Sequence, residues 1–226
     1  MDDVLDLEDR DTSQWLDSRL PRLHVVLGDS VARDSGITTK RAEDRVLNLG
    51  KGGATWRSLH DRLEETVADW RRSAREEERQ PGTAIIWMSG NDAYNKRTGL
   101  PSVSEAVLEA VVGHAQEVTE AVMRVASGVV VLGPIARLSS EVLPVQWENT
   151  AAFALERRPL HTLPRGADFV PLGRQLTKKL RRRPHCVSDC FQWYKRDGVH
   201  LNTEGYRKLA KMDRLPEWVE FCVGRQ

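Results

Sequence analysis

From residue 22 onward, short apolar runs that stop at glycine alternate with longer stretches whose apolar residues recur every three or four positions. Leu23-His24-Val25-Val26-Leu27 is brief, rich in branched side chains and followed at once by Gly28, as expected of a strand buried on both faces of a parallel sheet. Arg45 to Leu49 is a second such run and stops at Gly50-Lys51-Gly52-Gly53. Thr83 to Met88 is a third, closed by Gly90; Gly128 to Leu132 is a fourth, closed by Gly133-Pro134; Ala167 to Val170 is a short fifth. Between them, Leu59, Leu63, Val67 and Trp70 share one face of a helix predicted from Thr55 to Glu78. Ser102 with Glu105 three residues on predicts a capped helix to Ala126. Further helices are expected over Val145 to Arg157, Leu172 to Leu180, and Thr203 to Met212, with Thr203 as the cap. Strands and helices alternating at this spacing predict an α/β sandwich with a mostly parallel sheet.

A chain of 226 residues suits one domain, read here as 22 to 226, after a charged lead-in over 1 to 21 with a short helix around Trp15. With 34 basic against 33 acidic residues, the net charge of +1 gives no global argument for a nucleic-acid or anionic-membrane partner. No run reaches the roughly 18 to 20 apolar residues that span a bilayer. The acidic start lacks the basic-then-apolar order of a secretory signal. Three cysteines, Cys186, Cys190 and Cys222, leave one unpaired, which suits a reducing compartment, so a cytoplasmic protein is expected. Cys186 and Cys190 beside His185 fit no common zinc spacing, and no metal or cofactor is expected.

Three strands hand over to small polar clusters: Gly28-Asp29-Ser30, Gly50-Lys51-Gly52-Gly53 and Gly90-Asn91-Asp92. In an open parallel sheet all three emerge at the carboxyl edge, where such folds place their sites. A fourth cluster, Asp197-Gly198-Val199-His200, precedes the last helix. These residue types fit one job. A serine hydroxyl needs a neighbouring base, and imidazole titrates near the working pH. Asp197, three residues before His200, is placed to orient one ring nitrogen while the other faces Ser30. The N–H groups of Ser30 and Gly53 and the side-chain amide of Asn91 are candidate donors to an oxyanion, with Gly52 a rival to Gly53.

Taken in order, these four blocks resemble those of the SGNH (GDSL-type) hydrolases, whose name lists a serine, glycine, asparagine and histidine that fall here on Ser30, Gly53, Asn91 and His200. The first block reads Gly-Asp-Ser-Val, departing from the usual leucine at a position without a chemical role. The resemblance spans residues 23 to 210. It implies a flavodoxin-like three-layer α/β/α sandwich with a five-stranded, mostly parallel sheet, and metal-independent ester hydrolysis through an acyl-enzyme. Relatives include carbohydrate O-acetylesterases, lysophospholipases and thioesterases. No long apolar insertion follows any block, which points to a short acyl group such as acetyl.

Each residue also has a plainer reading. Ser30 alone would pass for a helix cap and His200 for an ordinary surface histidine. Asp29 and Asp92 are expected to organise loops through backbone hydrogen bonds. Tyr94 and Asn95, directly after the third block, are candidates to touch substrate. Lys178, Lys179, Arg181, Arg182 and Arg183 form a basic run read first as a solvated helix end. The alternative function, a module binding RNA or an anionic membrane through that run, accords with SGNH domains in some retrotransposon-encoded proteins. A flavodoxin-like cofactor binder is disfavoured, because the glycine cluster lacks G-x-G-x-x-G spacing and the P-loop lysine-serine pair.

Overall fold

The computed structural model describes residues 20–94, 104–138, 146–158, 162–179, 185–187 and 191–222. Five parallel strands form the central sheet: β1 (Arg22–Gly28), β3 (Arg45–Asn48), β4 (Gln80–Trp87), β5 (Gly128–Leu132) and β6 (Ala167–Val170). Their order is β3-β1-β4-β5-β6. The chain leaves β1 for one neighbour and returns to its other side as β4, so the topological switch lies between β1 and β4.

The alternation along β1 sets the layers, because successive side chains in a strand point to opposite faces. Leu23, Val25 and Leu27 pack with α3 (Leu63–Glu76) and α4 (Glu105–Met123), through Trp70, Ala115, Val118 and Val122. Val26 belongs to the opposite core, with Val31 of α1 (Ser30–Arg33) and Tyr206 and Leu209 of α6 (Thr203–Ala210). The result is the three-layer α/β/α sandwich. Among the described residues no helix is long and apolar enough to cross a membrane.

All five expected strands are present, whereas several helices differ from the pattern. The helix predicted over Thr55 to Glu78 is two: α2 (Trp56–His60), opened by a Thr55–Ser58 capping box, and α3, with a break at Asp61 and Arg62. Apolar spacing carries through the break, so periodicity does not reveal it. The predicted Ser102 cap lies outside the described residues, and the side chain of Ser104 accepts the N–H of Val107 to cap α4. Over 145 to 157, a 3-10 turn, Trp147–Asn149, precedes α5 (Ala151–Arg157), which Thr150 caps. The last helix is capped by Asn202, not Thr203. The lead-in helix around Trp15 lies outside the described residues.

The expected helix over Leu172 to Leu180 is instead a 3-10 turn, Gly173–Leu176, followed by β7 (Lys178–Lys179), which pairs antiparallel with β8 (His185–Cys186). One turn already buries both Leu172 and Leu176, so the i,i+4 spacing is satisfied without a longer helix. The three-residue strands β2 (Ile37–Thr39) and β9 (Val219–Phe221) were not expected, and they pair antiparallel. Such short segments carry no period, and their pairing joins positions about 180 residues apart.

Candidate active site

The reacting serine of the sequence reading stands where β1 turns into α1. Gly28 permits that turn: a Cβ there would lie 2.2 Å from the carbonyl oxygen of Trp87 and 2.5 Å from Cβ of Ala32. The α1 cap is Asp29, whose Oδ1 accepts the N–H of Val31 at 2.9 Å, so Ser30 is not the cap. The other carboxylate oxygen of Asp29 accepts the backbone N–H and the hydroxyl of Ser89, at 2.9 and 2.5 Å. Asp29 thereby ties the loop after β1 to the loop after β4. Burial pushes its carboxyl above the usual carboxylate range, against the opposing pull of the Ser89 and Val31 hydrogen bonds.

The histidine arrives on a turn closed at its base by a bridge between Tyr194 and Leu201. Within it the N–H of Lys195 donates to the carbonyl of His200 at 2.7 Å. Asp197 Oδ1 accepts the N–H groups of Val199 and His200, both at 2.9 Å, and its Oδ2 lies 2.6 Å from His200 Nδ1. Burial works to raise the Asp197 carboxyl, but the N–H of His200, its ring and the N–H of Val199 outweigh it and hold the group below the ordinary carboxylate value. His200 Nε2 lies 2.8 Å from Ser30 Oγ. Three side chains from two segments 170 positions apart thus form a continuous chain of hydrogen bonds, aspartate to imidazole to hydroxyl.

The glycine loop is fastened under β1 by the N–H of Lys51, which donates to the carbonyl of Gly28 at 2.8 Å. Gly53 adopts φ +73°, a conformation that side chains with a Cβ rarely accept, and the space where a Cβ would sit is open. Among the described residues, no acceptor takes the backbone N–H of Ser30, Gly52 or Gly53. Asn91 is more heavily engaged. Its Nδ2 donates to the carbonyl of Ala54 at 2.9 Å and to Asp29 Oδ2 at 3.3 Å, and its Oδ1 accepts from Arg137 Nη2 at 2.5 Å. Asp92 holds the start of α2 by accepting the N–H of Trp56 at 3.1 Å, and burial pushes its carboxyl up to about 6.

No family model matches the chain, and no curated protein matches it. Solved structures do. A catalytic mutant of Axe2, an acetylxylan esterase from Geobacillus stearothermophilus, superposes with a TM-score of 0.57 at 16% identity, covering 86% of this chain and 92% of that one. This chain has the SGNH hydrolase fold. A second catalytic mutant of the same esterase, with a serine replaced by alanine, gives a TM-score of 0.55 at 16% identity, over 86% of this chain and 92% of that one. LAE5, an alpha/beta hydrolase enzyme from the metagenome of Lake Arreo, Spain, gives 0.52 at 16% identity, over 83% and 91%.

Several residues of this site escaped the sequence reading. Ser89 precedes the third block by one residue, yet nothing in its type marks it as a partner of Asp29. Tyr206 donates its hydroxyl to the carbonyl of Val31 at 2.9 Å and so docks α6, just after His200, onto the serine helix. Arg137 follows β5 on a segment without a motif. Tyr94, expected at the substrate, is 6% exposed; its hydroxyl accepts the N–H of Arg137 at 3.2 Å and its ring lies 4.8 Å beneath that guanidinium. In the structure it buttresses Arg137 from below. Asn95, Arg181, Arg182 and Arg183 lie outside the described residues. Lys178 and Lys179 are in β7, not at a helix end.

Proposed function

We propose that this chain is a serine-dependent carboxylic-ester hydrolase that acts on short acyl groups through an acyl-enzyme on Ser30. The observation that carries the reading is the 2.8 Å contact between Ser30 Oγ and His200 Nε2, with Asp197 2.6 Å behind the ring, at the carboxyl edge beside the topological switch. His200 takes the hydroxyl proton as Ser30 Oγ attacks the ester carbon. Asp197, held ionised, stabilises the imidazolium that forms and fixes its tautomer. The imidazolium then gives its proton to the departing alcohol. In the second half-reaction a water attacks the acyl carbon, with His200 again accepting the proton, and Ser30 is regenerated.

The developing oxyanion requires donors. The N–H groups of Ser30 and of the Gly52–Gly53 turn supply two of them, and Asn91 supplies a third by exchanging its long 3.3 Å contact with Asp29 for the substrate oxygen. The acetylxylan esterase and the hydrolase enzyme among the structural neighbours support the reaction class. A small acyl group is favoured because no long apolar insertion follows any of the four blocks to wall a deep acyl tunnel.

The test is hydrolysis of p-nitrophenyl esters from acetate to octanoate by the wild-type protein and by Ser30→Ala. The expected result is turnover that is highest on acetate and absent in the variant. Equal rates in the two proteins overturn the esterase reading, and a preference for octanoate overturns the acyl-length part alone.

A further inference from the structure

Resting on that reading, we propose that Arg137 is a positioning residue for the oxyanion site, acting through the amide of Asn91. A primary amide can turn over and present either its oxygen or its N–H groups to a ligand, and only its hydrogen-bond partners decide which. Here the guanidinium holds Oδ1 at 2.5 Å, so Nδ2 faces Ala54 and Asp29, the chain neighbours of the candidate oxyanion donors Gly53 and Ser30. If the amide turned over, its oxygen would meet the negative oxygen of the intermediate. A cation on the amide oxygen also draws electron density from nitrogen and strengthens its N–H groups as donors, the polarisation that linked hydrogen bonds produce in a low-dielectric site.

The segment bearing Arg137 is built to hold it there. The N–H of Ile135 donates to the carbonyl of Ser89 at 3.1 Å, and the N–H of Leu138 donates to the carbonyl of Gly198 at 2.9 Å. The hydroxyl of Tyr194 donates to the carbonyl of Ala136. Residues 135 to 138 are therefore stitched to the loop carrying Asn91 and to the turn carrying His200. Among the described residues Arg137 forms no ion pair: its side chain is met by Asn91 and by the face of Tyr94. Burial pulls its guanidinium below the ordinary arginine value, and the nearby Tyr94, Asp29 and Asp197, which favour the charged form, offset this only in part.

The experiment is a double-mutant cycle on the intact chain, with turnover of p-nitrophenyl acetate and thermal melting read on each variant. Asn91→Ala is expected to lower kcat by about 10²- to 10³-fold, as loss of one oxyanion donor does. Arg137→Ala is expected to lower kcat by about 10- to 100-fold with KM within about twofold, since it weakens that donor without deleting it. The double variant is expected to match Asn91→Ala within about twofold, because a residue acting only through Asn91 has nothing left to act on. Millimolar guanidinium is expected to restore part of the turnover of Arg137→Ala and none in the double variant. Arg137→Lys, which keeps the charge without the planar fork, is expected to lie between wild type and Arg137→Ala. Additive losses, or a loss confined to KM, overturn the proposal and make Arg137 a direct substrate contact. If Arg137→Ala does not fold, Arg137→Gln carries the same cycle. A fully active Ser30→Ala sinks the esterase reading itself; an inactive Ser30→Ala beside Arg137 variants of wild-type kcat sinks only this assignment.

Discussion

At the amino end of β1 the ring of His24 lies 3.3 Å from Asp44, and past its carboxyl end the ring of His200 lies 2.6 Å from Asp197. The residue types are the same and the surroundings are opposite. The His24 and Asp44 side chains are 3% and 2% exposed; those of His200 and Asp197 are 27% and 46% exposed. His24 Nδ1 accepts the N–H of Thr83 at 3.0 Å, which leaves the ring proton on Nε2, facing Asp44. Trp218 stacks on the ring at 3.8 Å between centroids. Both nitrogens are consumed by the chain, so this pair fastens Thr83, Trp218 and the loop bearing Asp44 to the sheet. In the other pair the second nitrogen meets a hydroxyl that is itself half-buried at an open edge. A histidine–aspartate contact therefore says little about chemistry; the partner of the far nitrogen, and its access to a ligand, decide.

The largest effect should come from exchanging each histidine for alanine. His200→Ala is expected to lower turnover by about 10⁴-fold or more while the unfolding midpoint stays near that of wild type. His24→Ala is expected to do the reverse, costing about 2–4 kcal/mol in urea unfolding while the folded fraction keeps turnover within about twofold. A His24 variant that loses turnover at full stability would break the contrast between the two ends.

The aspartates should divide in the same way, with smaller losses. Asp197→Asn is expected to lower kcat by up to about 10⁴-fold, since an amide neither holds the useful tautomer nor balances an imidazolium. Asp44→Asn should leave kcat intact and lower stability alone, read by thermal melting. A smaller effect sharpens the active end. Tyr206→Phe removes the hydroxyl that docks α6 onto the serine helix, and is expected to cost about 1–2 kcal/mol in urea unfolding, together with a several-fold drop in kcat.

The smallest effect is in pH. Burial pulls the His24 imidazole below its ordinary value of 6.5, ahead of the opposing Asp44 contacts. The unfolded chain therefore takes up that proton first, and the stability held by neutral His24 is present above about 6.5 and lost as pH falls below it. Asp92 and Glu156, raised by burial to about 6 and about 7, work in the opposite sense: the stability linked to them is present in acid and lost as pH rises through those values. The His24 contribution is thus read as the gap in urea midpoint between wild type and His24→Ala, which should narrow from pH 7.5 to 5. A gap that widens in acid would show that the ring is held charged.

The side chains gathered at the open end were legible in the sequence because each of its parts is local. Gly28 to Ser30 follows a buried strand, Asn91 follows another, and Asp197 and His200 share one turn, so residue type and position after a strand were enough to single them out. The five strands were legible for a related reason: a parallel strand buried on both faces must be apolar along its whole length. The residues that fasten these parts together were not legible. Ser89, Arg137 and Tyr206 act across 60, 46 and 175 positions, through single hydrogen bonds that leave no period and no motif.

His24 shows the same limit from the other side, for its position in an apolar run tells neither of Asp44 nor of Trp218. Short elements were lost in the same way, since α2 with its break, the 3-10 turn after β6 and the β2–β9 pair are each settled by what lies against them. The sequence alone determined which segments become sheet and which residue types stand at its reactive edge, because strand burial and turn chemistry act between near neighbours. Only the tertiary structure decided that His24 is tied to Asp44 and Trp218, and which cation meets the Asn91 amide, because those contacts exist only once distant segments have packed.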